Sequence, residues 1–154
     1  MKEIFRFKKS RRMNMKHSMK KGFTLIELMV VVAIIGILMA AGILAFSNAQ
    51  QNARDSRRRA DIDAMSKAME QFYQNTNSAY PATAASIATY FPAGAIPADP
   101  QGAQYNFSAT ATTYCTCSTL ERTGRGNATA LGSGGTCTYG TGVNANFFCA
   151  SQRQ

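Results

Sequence analysis

The sequence predicts an α+β fold, in which a long N-terminal helix, membrane-spanning in its first half, packs on a small antiparallel β-sheet head. Three observations carry this expectation. From Leu28 to Phe46 nineteen residues run without a charge, close to the ~20 that cross a bilayer core as a helix. Further along, Ala53, Ala60, Ala64, Met65, Ala68, Met69, Phe72 and Tyr73 recur at spacings built from three and four, the period of a helix with one buried face. Past Pro81 the composition turns to Thr, Ala, Gly and Ser with short alternating runs, as in strands joined by loops.

Taken in order, residues 1–22 form a basic leader. They hold nine of the seventeen Lys and Arg and one acid, so eight of the nine net positive charges lie there. Such a segment holds its end of a membrane helix in the cytoplasm. The formal charge therefore does not make the rest of the chain a nucleic-acid binder. Phe23 to about Asn75 reads as one helix, because no proline occurs before Pro81 and Gly36 and Gly42 are the only glycines inside it. Residues 23–48 are its apolar, transmembrane half and residues 49–76 its amphipathic half. Arg54, Arg57, Arg58, Arg59, Asp61, Asp63, Lys67 and Glu70 fall largely off the apolar stripe. The arginines are expected to form a solvated face paired with Asp55, Asp61 and Asp63 at one-turn spacing. A patch for anionic lipid headgroups or DNA phosphate is the competing reading. No aromatic residue is interleaved with the arginines to stack on bases, which weakens DNA as a partner.

Asn75-Thr76-Asn77-Ser78-Ala79-Tyr80-Pro81 ends the helix. Residues 77–154 form the head. Ala84 to Tyr90 is expected as a short helix, with strands at Gln104–Ser108, Thr113–Cys117 and Asn146–Cys149. Gly124 to Gly135, glycine-rich and weakly apolar, is expected to be a mobile surface loop, which leaves a sheet of three or four strands.

Cys115, Cys117, Cys137 and Cys149 all lie in the head. A domain of roughly 80 residues has a marginal apolar core, and covalent staples are common at that size. In an oxidising compartment two disulfides are the default, and four cysteines allow three pairings. Cys115 and Cys117 are two apart on one strand face, so each is expected to pair with Cys137 or Cys149 instead. The alternatives are weaker. Cys-x-Cys lacks the Cys-x2-Cys spacing of structural zinc sites and has no neighbouring histidine. The Thr-rich strand also lacks the Cys-x-x-Cys helix start of a redox site. No metal, cofactor or catalytic residue is expected. The sole histidine, His17, lies in the leader, and beyond Asn75 the only acids are Asp99 and Glu121, too sparse for a paired-carboxylate site or a calcium cage.

Lys20-Lys21-Gly22-Phe23-Thr24-Leu25-Ile26-Glu27-Leu28-Met29, followed by the apolar run, closely resembles the class III signal of type IV prepilins and type II secretion pseudopilins. The resemblance spans positions 20 to 39. It implies leader recognition through Lys20, Lys21 and Gly22, cleavage between Gly22 and Phe23 by a membrane prepilin peptidase, and N-methylation of Phe23 by the same enzyme. Met1 would give a long leader and Met19 a short one, with the same mature chain. The resemblance also makes Glu27, the fifth mature residue, the assembly residue that neutralises the N-terminal ammonium of an adjacent subunit. Inside hydrocarbon each charge is costly alone and the pair attract strongly. The implied function is that of a structural subunit, a pilin or pseudopilin, of a type IV pilus-like or type II secretion filament. The alternative is a monomeric single-pass membrane protein with a cysteine-stapled ligand- or metal-binding head.

The partners so implied are a homo-oligomeric filament with other pilins, the peptidase/methyltransferase, an inner-membrane assembly platform, membrane lipid and, with least support, DNA. The implied location is the inner membrane as a single-pass protein with its head outside the cytoplasm, and then an envelope or cell-surface filament. Similarity to the C-terminal bridge of many small pilins favours Cys117–Cys149, with Cys115–Cys137 second. Tyr80-Pro81 and Ile96-Pro97-Ala98-Asp99-Pro100-Gln101-Gly102 resemble segments of major pseudopilins, although the acidic calcium loop often found there has no equivalent here. Leu44 stands where type IV pilins commonly have a helix-breaking proline.

Overall fold

The computed structural model describes residues 22–92 and 94–152, and for Leu44 the backbone alone. The basic leader, with Lys20 and Lys21, lies outside the described residues. Two compact units divide the chain between Ala40 and Ala41, and one helix, α1 (Leu25–Asn75), contributes to both. In the first unit every described residue of α1 is exposed. Leu25, Ile26, Leu28, Met29 and Ile37 are each more than 60% exposed, so this apolar surface has no partner among the described residues. Among the described residues α1 is the one helix long and apolar enough to cross a membrane.

The second unit is built around the remainder of α1, which ends in a defined way. Asn77 and Ser78 take positive φ (45° and 59°), and the Ser78 N–H donates to the Tyr73 carbonyl at 3.2 Å. This is the left-handed cap that satisfies last-turn carbonyls, and asparagine tolerates it better than most residues. A 3-10 turn follows at Ala84–Tyr90, where the short helix was expected. Five strands come next: β1 (Asn106–Ala109), β2 (Tyr114–Thr119), β3 (Ala128–Ser133), β4 (Thr136–Tyr139) and β5 (Phe147–Ser151). They make one antiparallel sheet in the order β1-β2-β5-β3-β4. The α+β architecture read from the sequence is therefore the architecture of the molecule.

Alternation of side chains along β2 gives the head two apolar layers. Tyr114 lies in the core with Ile62, Met65, Ala68 and Met69 of α1, together with Tyr80 and Ile87. Thr116, on the same face, donates its hydroxyl to Met65 Sδ at 3.8 Å. Cys115 and Cys117 point the other way, into a second cluster with Ala128, Cys149, Cys137 and Phe147. The Tyr114 hydroxyl, deep in the first layer, bonds Ser66 Oγ at 2.9 Å and donates to Glu70 Oε1 at 3.1 Å. Burial pushes its pKa up.

Three expectations need correction. Gly124–Gly135 is not a mobile loop, since it contains β3, whose Ala128 is fully buried. Its small residues allow close approach rather than disorder: a side chain on Gly132 would run into Cys115, and one on Gly126 into the Phe147 backbone. With β3 and β4 the sheet has five strands, not three or four. The buried face of α1 also differs from the expected stripe, because Ala53 and Ala60 are exposed and Asp55, Arg58, Ile62, Met65 and Met69 are buried. Alanine offers little area to bury, so the larger side chains set the register and carry two charged residues inward with them.

Candidate functional site: the N-terminal segment and the base of the head

Four residues at the start of α1 build the local geometry of the first unit. Thr24 and Glu27 form a reciprocal cap: the Glu27 N–H donates to Thr24 Oγ1 at 3.3 Å, and the Thr24 N–H donates to Glu27 Oε2 at 3.5 Å. The Thr24 hydroxyl also lies 3.4 Å from that oxygen. First-turn N–H groups have no partner within a helix, and a Thr-x-x-Glu pair satisfies two of them. The acid also sits at the positive end of the helix dipole. Gly22 and Phe23 precede this cap outside regular secondary structure and are exposed, and apart from chain neighbours no described atom lies within 4 Å of where a side chain on Gly22 would begin. Thr24 was not singled out from the sequence, although the Thr-x-x-Glu spacing was a legible signal.

The second unit carries a dense charge cluster that ties α1 to two loops. Arg58, only 2% exposed, meets three carboxylates. It forks onto Asp99 through Nε (2.5 Å) and Nη2 (3.0 Å), and its Nη1 reaches Asp55 and Glu121, each at 2.8 Å. Arg54 forks onto Glu121 with both contacts at 2.6 Å. Asp55 in turn accepts the N–H groups of Glu121 (2.9 Å) and Arg122 (3.1 Å). Asp99 is aimed by its turn, in which its carbonyl accepts the Gly102 N–H at 2.8 Å and its carboxylate the Gln101 N–H at 2.8 Å. Proline at the second position and glycine at the fourth suit that turn. Arg54 first, and Arg58 after it, hold the Glu121 carboxyl down to about 2. Arg58 likewise lowers the pKa of Asp99. The expected solvated arginine face is thus corrected for Arg54 and Arg58, which bridge to acids 41 to 67 residues away. Asp61 instead accepts the Tyr105 hydroxyl at 2.7 Å.

The cysteines close the other layer. Cys115 is bonded to Cys137 and Cys117 to Cys149, with Cα atoms 5.3 Å and 4.1 Å apart. Cys117 and Cys149 are directly opposite in the β2–β5 register. All four sulfurs lie within 4.8 Å of one another, a spacing a metal site also needs, but both bridges engage every thiolate that would bind one.

In comparison with known proteins, residues 17–43 match the model of the prokaryotic N-terminal methylation motif. Among the proteins this chain is similar to, the type IV major pilin protein PilA of Myxococcus xanthus is 45% identical over 53 residues, 34% of this chain and 24% of that protein. The type IV major fimbrial protein FimA of Dichelobacter nodosus is 49% identical over 53 residues, 34% of each chain. The type II secretion system core protein G of Pseudomonas aeruginosa is 39% identical over 69 residues, 45% of this chain and 48% of that protein. The chain spans between about a quarter and a half of the length of these relatives. No solved structure matches it.

Proposed function

We propose that this chain is a structural subunit of a bacterial type IV pilus-like or type II secretion filament, with no catalytic activity of its own. The observation that carries this reading is the methylation motif at residues 17–43 on a helix whose residues from Leu25 to Ala40 are all exposed. An apolar surface of that extent requires a lipid or protein partner. Before assembly it lies in the inner membrane as a single-pass span, leader inside and head outside. Cleavage between Gly22 and Phe23 frees an ammonium, which is methylated without losing its charge. Lys20 and Lys21 serve recognition by the peptidase. In the filament, Glu27 leaves the Thr24 cap, or shares it, to meet the ammonium of a neighbouring subunit. The relatives named above include both a pilin and a secretion protein, and the bridged, Thr- and Gly-rich head suits the cell surface.

The experiment is to shear intact cells and weigh the protein in the released fibres. A species that begins at methylated Phe23 and is four hydrogens lighter than its fully reduced form supports processing, two bridges and a surface filament. Unprocessed protein confined to membranes overturns the filament reading and leaves the monomeric membrane protein. Processed protein confined to membranes selects the secretion filament.

A further inference from the structure

Of the four described arginines outside the charge cluster, Arg57 is exposed and the other three converge. Arg59, Arg122 and Arg125 line a cleft of about 200 Å³ with Asn52, Asp55 and Ser56. Arg59 and Arg122 are held in place by neighbours other than carboxylates. Arg59 Nη2 donates to the Arg125 carbonyl at 2.7 Å, and its guanidinium lies 5.8 Å from the centre of the Phe148 ring. Arg122 Nη1 donates to Asn52 Oδ1 at 2.5 Å. Ion pairs among the described residues fall on Arg54 and Arg58, so these three guanidiniums carry no counter-charge. Asp55, the one acid in the lining, is already engaged by Arg58 and by the N–H groups of Glu121 and Arg122. Arg59 Nε is moreover buried without a hydrogen-bond acceptor, a state that native structures rarely leave unexplained.

We propose that Arg59, Arg122 and Arg125 form a binding site for a phosphate group, presented by an anionic lipid headgroup. Guanidinium forks match phosphate oxygens in geometry as well as charge. The position of the cleft selects the lipid. Asn52 is the most N-terminal residue of α1 bonded to the head, and it follows the exposed Phe46 by six residues, ~9 Å of helix. Headgroup phosphates lie just outside the hydrocarbon that the apolar run occupies. A nucleic acid is disfavoured because the lining offers no aromatic ring on which a base could stack. The site thus holds the head at the membrane surface, and this does not depend on whether the chain assembles.

The test uses the full chain in neutral detergent micelles, with the Nε–Hε NMR signals of its arginines followed during titration. Short-chain phosphatidylglycerol should shift the signals of Arg59, Arg122 and Arg125 saturably. Added salt should weaken the effect, and each of Arg59→Gln, Arg122→Gln and Arg125→Gln should loosen binding about fivefold. The leader is present in every variant and cannot account for a difference between them. Binding of inorganic phosphate with equal or greater affinity would overturn the lipid as the source, as would tighter binding of duplex DNA with the same shifts. Absence of saturable shifts in the wild-type protein with all three probes would overturn the site.

Discussion

At the scale of single residues, Arg58 shows how a charge becomes structural. Its guanidinium is buried at the junction of α1 with the loops that carry Asp99 and Glu121, and removing it leaves Asp55 and Asp99 without a counter-charge, while Glu121 keeps Arg54. Arg58→Ala should lower head stability by roughly 3–5 kcal/mol, measured by denaturant unfolding of the detergent-solubilised chain. The same cluster sets an acid limit. Glu121 is held at about 2, below its ordinary 4.5, so its contribution is complete above the unfolded value and is lost as pH falls from about 4.5 towards 2. The thermal midpoint of the head should decline across that window, and Glu121→Gln should flatten the decline. Glu27 raises a different question, since it is a helix cap in the isolated chain and a proposed charge partner in the filament. Glu27→Gln keeps a hydrogen-bonding side chain and removes the charge. Counting sheared fibres should show assembly lost in both Glu27→Gln and Glu27→Ala. Assembly that survives in Glu27→Gln would make the residue a cap alone.

At the scale of elements, the helix was legible and the sheet only partly so. Proline-free sequence, an apolar run and a turn at Asn75–Pro81 announced α1, because each is a local signal. Strands β1, β2 and β5 showed through their alternation. β3 and β4 did not, since Ala128-Thr129-Ala130-Leu131-Gly132-Ser133 has neither bulk nor clear period. What holds β3 is the bridge layer packed against it, which is a tertiary fact. Gly132→Val should therefore act like a core overpacking, costing ~1–3 kcal/mol, with free thiols detectable by mass if Cys115 is displaced from Cys137. Each bridge closes a loop of 22 or 32 residues, and loss of either pair to alanine should cost about 3 kcal/mol. One-turn spacing indicated Asp55 as a partner of Arg58, but Asp99 and Glu121 lie too far along the chain from Arg54 and Arg58 for any local spacing to indicate. Only the fold brings them together, and it does the same for Arg59, Arg122 and Arg125.

At the scale of the whole molecule, the proposed function divides its tasks by position, with processing and assembly at the N-terminal end of α1 and display in the head. Gly22 marks the boundary. Its surroundings are open, so Gly22→Phe should leave the head folded while the leader remains attached, read as an unprocessed mass beside an unchanged circular dichroism spectrum. The two bridges have an effect beyond stability. Every peptide bond between Cys117 and Cys149 is spanned by Cys117–Cys149, and those up to Cys137 by Cys115–Cys137 as well. An external protease that nicks the 120–126 loop, or the turn before Phe147, would release nothing. The severed ends would stay joined through sulfur, and the damage would show only on a reducing gel. The stretch from Asn77 to Tyr114 has no such safeguard, and after a single cut there the sheet would be joined to its helix only by packing and ion pairs.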